Sequence, residues 1–173
     1  MSLITKKICL IGDFAVGKTS LIKRFVDRQF SDQYLSTVGV KISRKTVEIN
    51  TLNTLKKTEI QLLIWDIEGK SKFKSILSNY LQGAQGAIIV ADISRQETID
   101  HIREHLELFY SVNPKGGKIL VALNKSDILD KESLEQSCEQ VFFDQQNKVI
   151  ATYTTSAKTG ENVDKIFQEL ACV

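Results

Sequence analysis

The chain has 173 residues, which is enough for one domain with a buried core. Its 42% hydrophobic and 25% charged residues are typical of a soluble globular protein. The 23 Lys and Arg against 21 Asp and Glu leave a formal net charge of +2, and the basic residues are scattered, so no nucleic acid or anionic membrane surface is expected as a partner.

Short apolar runs and amphipathic stripes alternate along the chain. The predicted strands are, in chain order, 8–11, two segments around 47–49 and 60–65, then 87–91, 119–123 and 149–153. The predicted helices carry apolar stripes at 21–26, at 99–109 with an end near Asn113-Pro114, at 134–142 and at 163–170. The polar turn T-L-N-T-L-K-K predicts a hairpin of the second and third strands, and so one antiparallel strand. Apolar strands separated by helices otherwise indicate an α/β fold, with a mainly parallel sheet covered on both faces.

No linker, repeat or low-complexity segment interrupts this order, so residues 1–173 are expected to form a single domain. Ligands of parallel sheets bind beyond the carboxyl ends of the strands. The loops of interest are therefore those that follow Ile11, Trp65, Leu123 and Tyr153.

The first of these loops reads G-D-F-A-V-G-K-T, from Gly12 to Thr19, and fits the phosphate-loop pattern G-x-x-x-x-G-K-[ST]. It lies between a predicted strand and a predicted helix, which is the context that the pattern requires. Glycines let backbone N–H groups approach phosphate oxygens, Lys18 neutralises the outer phosphates, and the Thr19 hydroxyl is offered to Mg²⁺. A glycine-rich turn with a chance Lys-Thr pair is the alternative.

The loop after the strand at 119–123 reads N-K-S-D, from Asn124 to Asp127. The Asp127 carboxylate can accept hydrogen bonds from N1–H and the exocyclic amine of guanine, whereas adenine offers no matching pair of donors. At roughly 1.5–3 kcal/mol for each charged hydrogen bond, two such bonds discriminate by a hundredfold or more. The stem of Lys125 is long enough to lie over the purine face. Taken alone, an ordinary polar turn is the alternative for this loop.

Five segments in order resemble the motifs of small GTPases of the Ras superfamily, nearest to the Rab branch, over essentially the whole chain. After the phosphate loop, Phe30 and Y-L-S-T-V-G-V at 34–40 resemble switch I. L-L-I-W-D-I-E-G-K at 62–70 resembles the strand entering switch II. N-K-S-D resembles the guanine-specificity loop, and T-S-A-K-T-G-E-N-V at 155–163 the last base loop. The resemblance implies the six-stranded P-loop NTPase fold of small G proteins. It also implies conformational switching near residues 30–42 (switch I) and 67–80 (switch II).

The resemblance also implies the residues of the site, for GTP or GDP with Mg²⁺. The expected metal ligands are Thr19, Thr37 and, through water, Asp66. Contacts to the nucleotide are expected from Gly12, Ala15, Val16, Gly17, Lys18, Thr19, Ser20, Phe30, Thr37, Gly69, Asn124, Lys125, Asp127, Ser156, Ala157 and Lys158. The expected catalytic residues are Lys18, Thr37, Gly69 and Lys70.

Several positions depart from the family pattern where hydrolysis takes place. Most relatives read W-D-T-A-G-Q in switch II, so here Ile67 replaces Thr, Glu68 replaces Ala, and Lys70 replaces the Gln that orients the attacking water. Lysine has no acceptor and cannot orient water as Gln does, although its charge can stabilise the transition state. Phe14 stands where Rab-like chains carry a small residue, and its ring would crowd the site. We therefore expect slow hydrolysis of GTP.

Two other functions stay open at this point. A hydrolysis-deficient, GTP-loaded scaffold would carry the same binding motifs. A P-loop kinase would share the phosphate loop, but N-K-S-D and T-S-A-K would have no role in it, and no Arg-rich lid is visible. For the switch itself, protein effectors and regulators are expected to bind through switch I and switch II, and the protein is expected to be a monomer.

His101 and His105 form an H-x-x-E-H pattern, which also occurs in a class of zinc proteases. The chain has no third histidine to complete such a site. The stripe of Ile102, Leu106 and Phe109 predicts a helix that packs outside the sheet, away from the phosphate loop. We therefore expect both imidazoles on a solvated helix face.

The three cysteines lie far apart without a C-x-x-C pair, which indicates reduced thiols and a cytoplasmic protein. No apolar run approaches the roughly 18 residues of a membrane span. Cys172 is penultimate, whereas a prenylation box places Cys fourth from the end, where Leu170 stands. We expect no membrane anchor in this chain.

Overall fold

The computed structural model describes residues 4–50, 57–69, 74–139 and 149–172. The strands are β1 (Ile4–Ile11), β2 (Val40–Asn50), β3 (Lys57–Ile67), β4 (Gly86–Asp92), β5 (Lys118–Asn124) and β6 (Val149–Thr155). The helices are α1 (Lys18–Asp27), α2 (Lys74–Leu81), α3 (Gln96–Asp100), α4 (Ile102–Val112), α5 (Lys131–Glu139) and α6 (Val163–Cys172). Within these ranges the strands form one six-stranded sheet, in the order β2-β3-β1-β4-β5-β6.

The hairpin strand β2 runs antiparallel to β3, and the other neighbouring pairs are parallel. The predicted fold class is therefore confirmed, with the sheet of a P-loop small G protein. Both hairpin strands are longer than predicted, because their ladder runs from the Val40–Ile67 pair to the Asn50–Lys57 pair. Residues 51–56 of the predicted turn lie outside the described residues. Residues 140–142, at the end of the stripe predicted at 134–142, also lie outside them.

Successive side chains of the central strands enter two apolar cores, one on each face of the sheet. In β1, Ile8 and Leu10 enter the core that contains α1 and α6, and Cys9 and Ile11 enter the core that contains α2 and α4. Because both faces are covered, β4 is buried along its whole length.

The helix predicted at 99–109 is divided into the short α3 and the longer α4, which ends before Asn113 as predicted. The buried Asn113 amide donates to the carbonyls of Leu81 at 3.0 Å and Phe109 at 3.3 Å, and its oxygen accepts from the Gly83 N–H at 3.0 Å. One side chain thus satisfies backbone groups at the ends of α2 and α4.

The register of the sheet places the loops of interest at the same end of the sheet, beyond the carboxyl ends of the strands. The parallel pairing of β1 and β3 sets Leu10 opposite Asp66, so these two strands end side by side. The strands β5 and β6 end together in the same way, with Asn124 opposite Thr155. Among the described helices, none is long and apolar enough to cross a membrane.

The contact between α1 and α6 offers a test of this packing. Phe25 and Phe167 are fully buried and stacked, with ring centroids 4.2 Å apart and 11° between the planes. Phe167→Ala is expected to lower the free energy of unfolding by about 3–5 kcal/mol, because a cavity replaces the ring. Phe167→Leu, which fills most of that volume, is expected to cost less than about 2 kcal/mol. Urea denaturation followed by circular dichroism measures both values, and equal losses would contradict a core sensitive to packing here.

Candidate functional site

The phosphate loop, residues 12–19, joins the end of β1 to the start of α1. Gly17 has a φ of +101°, a conformation that L side chains rarely adopt, and a Cβ there would overlap the side-chain amide of Asn124. That amide donates to the carbonyl of Val16 at 2.9 Å. The phosphate loop and the start of the N-K-S-D loop are therefore packed as one unit, as closely as a glycine permits.

Lys18 lies inside the curve of the phosphate loop. Its side chain is buried, and its Nζ donates to the carbonyls of Gly12 at 2.7 Å and Asp13 at 2.8 Å. Burial lowers the pKa of Lys18 to about 8. An anionic oxygen beside this amine would favour the charged form again, so the arrangement is suited to a phosphate group.

The loops after β5 and β6 meet at one end of the site. Asp127 accepts a hydrogen bond from Ser156 Oγ at 2.6 Å, which fixes the direction of the carboxylate. Asn124 accepts one from Thr155 Oγ1 at 3.2 Å. The carbonyl of Ala157 accepts from Arg24 Nε at 2.7 Å, so α1 supports the last base loop from behind.

Lys125 forms an ion pair with Asp92, which belongs to none of the sequence motifs. Its Nζ lies 2.6 Å from Oδ2 of the buried Asp92, at the end of β4. Although burial acts to raise it, hydrogen bonds from Lys125 and Ser94 hold the pKa of Asp92 below its ordinary value. The amine is thus fixed on Asp92, while the Lys125 side chain lines the cavity.

Thr19, Thr37 and Asp66 meet beside the phosphate loop. Thr19 Oγ1 donates to Asp66 Oδ2 at 2.6 Å and lies 2.8 Å from Thr37 Oγ1. Asp66 Oδ1 is buried and has no hydrogen-bond partner within the described part of the chain, and burial raises the pKa of this carboxyl. Mg²⁺ prefers oxygen ligands, and this group offers two hydroxyls and a carboxylate. Asp66 Oδ1 could accept a hydrogen bond from a metal-bound water. The group therefore fits the expected metal.

One cavity of about 370 Å³ is lined by the phosphate loop, by Thr37 and by both base loops. The residues expected to contact a nucleotide that line it are Ala15, Gly17, Lys18, Thr19, Ser20, Phe30, Thr37, Gly69, Asn124, Lys125, Asp127, Ala157 and Lys158. The other three expected residues do not line the cavity but form hydrogen bonds to residues that do. Gly12 accepts from Lys18 and Val16 accepts from Asn124. Ser156 donates to Asp127. Lys70 lies outside the described residues. The cavity is also lined by Leu35 of the switch I motif and by side chains that belong to no quoted motif: Lys23, Ser31, Asp32, Gln33 and Ile128.

Switch II contacts both the phosphate loop and switch I. A Cβ on Gly69 would lie 2.6 Å from the carbonyl group of Asp13 and from the backbone nitrogen of Phe14, so only glycine fits there. Glu68 N–H donates to the Gly39 carbonyl at 2.9 Å, and Glu68 Oε2 accepts from the Gly39 N–H, also at 2.9 Å. The residue that replaces Ala of the family pattern therefore forms a two-way bridge to switch I.

Phe14 reaches switch I from the phosphate loop. Its ring lies edge-on to Tyr34, with centroids 5.3 Å apart and 74° between the planes. The Phe14 carbonyl accepts from Arg95 Nη2 at 2.7 Å, and Arg95 Nε also pairs with Asp92 Oδ2 at 3.2 Å. Both rings line the cavity, so Phe14 covers part of it together with switch I.

The expectation that His101 and His105 lie away from the phosphate loop is wrong. His101 Nδ1 lies 2.6 Å from Asp13 Oδ2, and His105 Nε2 lies 2.9 Å from Asp13 Oδ1. The His101 side chain is half exposed, but that of His105 is only 17% exposed. The apolar stripe identifies the inward face of α4 correctly, but a stripe does not show which loop meets the first turn of a helix. In the described ranges no group of three His, Cys, Asp or Glu side chains could hold a metal, so H-x-x-E-H is not a zinc site here.

The sheet order and this cavity define a P-loop protein of the small-GTPase type. The sequence model of the Ras family matches residues 7–172. The GTP-binding protein ypt1 of Schizosaccharomyces pombe is 37% identical over 161 residues, which are 93% of this chain and 75% of that protein. Two Ras-related proteins of Dictyostelium discoideum, Rab-1A and Rab-1C, are 35% and 36% identical over 165 and 166 residues, each 95% of this chain and 78% of the relative. The chain belongs to the Ras family, and within it is Rab-like, as its motifs predict.

Gly17 can be tested against a matched glycine elsewhere. Gly17→Ala is expected to lower the free energy of unfolding by about 3 kcal/mol, since left-handed strain of roughly 1–2 kcal/mol adds to the loss of buried hydrogen bonds around Asn124. Gly116 has a similar φ of +95° but nothing within 4 Å of its Cβ position, so Gly116→Ala is expected to cost only the strain, about 1–2 kcal/mol. Chemical denaturation without added ligand compares the two. Equal losses would show that the contact with Asn124 does not shape the loop.

Proposed function

We propose that the chain is a guanine-nucleotide switch that binds GDP and GTP with Mg²⁺ and hydrolyses GTP slowly. The observation that carries the proposal is one cavity that is lined by the phosphate loop, by Thr19 and Thr37, and by the two base loops. Asp66 lies behind Thr19 and accepts its hydrogen bond. Membership of the Ras family supports it, and one relative is named a GTP-binding protein. The same membership disfavours a P-loop kinase.

The chain's own groups suit the parts of a guanine nucleotide. The phosphates would lie against the backbone N–H groups of residues 12–19, with the Lys18 amine replacing part of its contact to the loop carbonyls by contact to phosphate oxygens. The Asp127 carboxylate, oriented by Ser156, would accept the two guanine donors. The backbone N–H of Ala157 would donate to the guanine oxygen.

The metal would be held between the phosphate loop and switch I. When bound, Mg²⁺ neutralises the charge that develops on the outer phosphates. Thr19 and Thr37 would hold it directly, and Asp66 would hold it through water. Because Thr37 belongs to switch I, loss of the terminal phosphate would loosen Thr37 and Gly69 together.

Effectors and regulators are proposed to bind where the switches are exposed. Tyr34, Leu35 and Val38 of switch I are 57%, 71% and 85% exposed, although all three are large apolar side chains. Exposed apolar side chains in one segment are typical of a surface that binds another protein. The segment moves with Thr37, so such a partner would sense the nucleotide.

Three features support slow hydrolysis. Lys70 replaces the water-orienting Gln in the sequence and has no acceptor. The Glu68 carboxylate, which could act as a base, is engaged by the Gly39 N–H. The Phe14 ring, packed on Tyr34, takes space beside the phosphate loop where water or an activating arginine would enter.

Base recognition is tested by Asp127→Asn. The amide can no longer accept both guanine donors, so the affinity for GDP is expected to fall by about a hundredfold or more. Affinity for xanthosine diphosphate is expected to rise, because an amide can donate to the oxygen that replaces the guanine amine. Fluorescent-nucleotide titration with GDP, xanthosine diphosphate and ADP measures this. Asp130→Asn, three residues later and outside the cavity, is the control, and preferential binding of ADP by the native chain would refute the guanine assignment.

Hydrolysis is tested by single-turnover assays of the native chain, Phe14→Gly, Glu68→Ala and Lys70→Gln. Each variant is expected to hydrolyse GTP faster than the native chain, and the triple variant by about tenfold or more, which is roughly 1.4 kcal/mol of barrier. Native turnover equal to that of every variant would contradict weakened catalysis. Bound GTP that persists in the native chain over days would instead support the hydrolysis-deficient scaffold.

A further inference from the structure

Asp13 joins the phosphate loop to α4. Its two carboxylate oxygens are divided between two imidazoles, with Oδ2 at 2.6 Å from His101 Nδ1 and Oδ1 at 2.9 Å from His105 Nε2. The two histidines stand four residues apart, on one side of the helical turn that begins α4. The carboxylate is only 22% exposed, so this contact is partly shielded from solvent.

The backbone carbonyl of Asp13 contacts two other parts of the site. The Asp13 carbonyl accepts from the buried Lys18 amine at 2.8 Å. The Gly69 backbone packs against that carbonyl so closely that a Cβ would lie 2.6 Å from it. A shift of Asp13 would therefore move both the phosphate-binding amine and the switch II glycine.

We propose that His101 and His105 are positioning residues for the nucleotide, which hold the phosphate loop against α4 through Asp13 and thereby slow nucleotide release. This rests on the proposed binding of guanine nucleotide. Neither histidine would touch the ligand, and the first turn of α4 becomes part of the support of the phosphate loop.

The charges around the two imidazoles differ. The hydrogen bond with Asp13 raises the pKa of His101, and the carboxylates of Glu104 on α4 and Asp100 on α3 act in the same direction. Burial lowers the pKa of His105, and the Lys18 amine on α1 adds to this, against Asp13 and Glu104.

The acidic group responds to the same contacts. Although burial acts to raise it, hydrogen bonds from both imidazoles hold the pKa of Asp13 below its ordinary value. The cleft beside the pair is also lined by Glu68 of switch II and Glu107 of α4.

These directions give the sign of the pH dependence. The charged His101–Asp13 pair is complete below the ordinary histidine pKa of 6.5 and is lost as pH rises through the raised pKa of His101. The lowered pKa of His105 favours its neutral form, in which Nε2–H donates to Asp13 without a charge. Release of nucleotide is therefore expected to quicken severalfold between about pH 6 and about pH 8.

The test uses two sets of variants, with release of fluorescent GDP from the Mg²⁺-containing protein as the readout. In His101→Asn with His105→Gln, amide nitrogens replace Nδ1 and Nε2, so both donors are kept but neither titrates. At both pH values this pair is expected to release GDP at about the rate of the native chain at pH 8, because its donors carry no charge. His101→Leu with His105→Leu removes both donors and is expected to release GDP roughly tenfold faster at pH 6.

The chain has only two histidines, so the amide pair leaves no imidazole. The pH dependence that remains in this pair comes from the nucleotide phosphate, which titrates near pH 6, and from Lys18, whose pKa is about 8. It is subtracted as the baseline. Arg103→Gln, on the same turn of α4, controls for a change of helix surface. Circular dichroism shows whether each variant is folded.

A second readout does not use nucleotide. With two histidines, a single substitution assigns both imidazole signals by nuclear magnetic resonance. Asp13→Asn is expected to lower the pKa of His101 in a titration of the intact chain. An unchanged pKa, or equal release from the native chain and the leucine pair, would overturn the positioning role. No binding of GDP by the native chain would instead overturn the proposed function itself.

Discussion

The buried amine of Lys18 is the constraint on which the site depends. Burial of this charge is unfavourable, which is why the pKa of Lys18 falls to about 8. The carbonyls of Gly12 and Asp13 turn inward to accept its hydrogen bonds, and the path of the phosphate loop follows from that turn. Gly17 then allows the Asn124 amide to reach the Val16 carbonyl, so the loop is closed from the base side as well. The two carbonyls compensate the charge of the Lys18 amine only in part. The phosphate loop is therefore arranged for an anion before one binds.

Asp13 connects Lys18 to switch II and to α4. Its carbonyl meets Lys18 and Gly69, and its carboxylate meets α4, so the loop, switch II and the helix cannot shift independently. Switch II is in turn bonded to switch I through Glu68 and Gly39. Allosteric coupling requires contacts that two sites share, and here the shared contacts are the backbone groups of Asp13, Gly69 and Gly39 and the carboxylates of Asp13 and Glu68.

Most of the fold could be predicted from the sequence, because strands and helices are recognised from patterns of neighbouring residues. Buried strands read as unbroken apolar runs such as 87–91, and helices as stripes, so the order of layers follows. Sequence motifs also predict the loops at 12–19 and 124–127. They do not predict the residues that support these loops, namely Asp92, Arg95 and the two histidines, because such contacts join distant positions: His105 and Asp13 are 92 positions apart. A sequence shows that such side chains can form hydrogen bonds, but only the packing of α3 and α4 shows with which partner.

Two of the residues that depart from the family pattern, Phe14 and Glu68, form contacts of their own, and both contacts are with switch I. Phe14 packs on Tyr34 from the phosphate side, and Glu68 bonds Gly39 from the switch II side, so Thr37 lies between two fixed points. An aromatic pair contributes about 0.5–1.5 kcal/mol and a hydrogen bond to a carboxylate about 1.5–3 kcal/mol before solvent screening. Both contacts join protein groups only, so in the proposed switch both would favour the same position of switch I with GDP and with GTP. A ligand shifts an equilibrium only by its different affinity for the two states. In the proposed function, the terminal phosphate would act on a switch I that these two contacts already hold, and opening after hydrolysis would break Phe14–Tyr34 and Glu68–Gly39 as well as release Thr37.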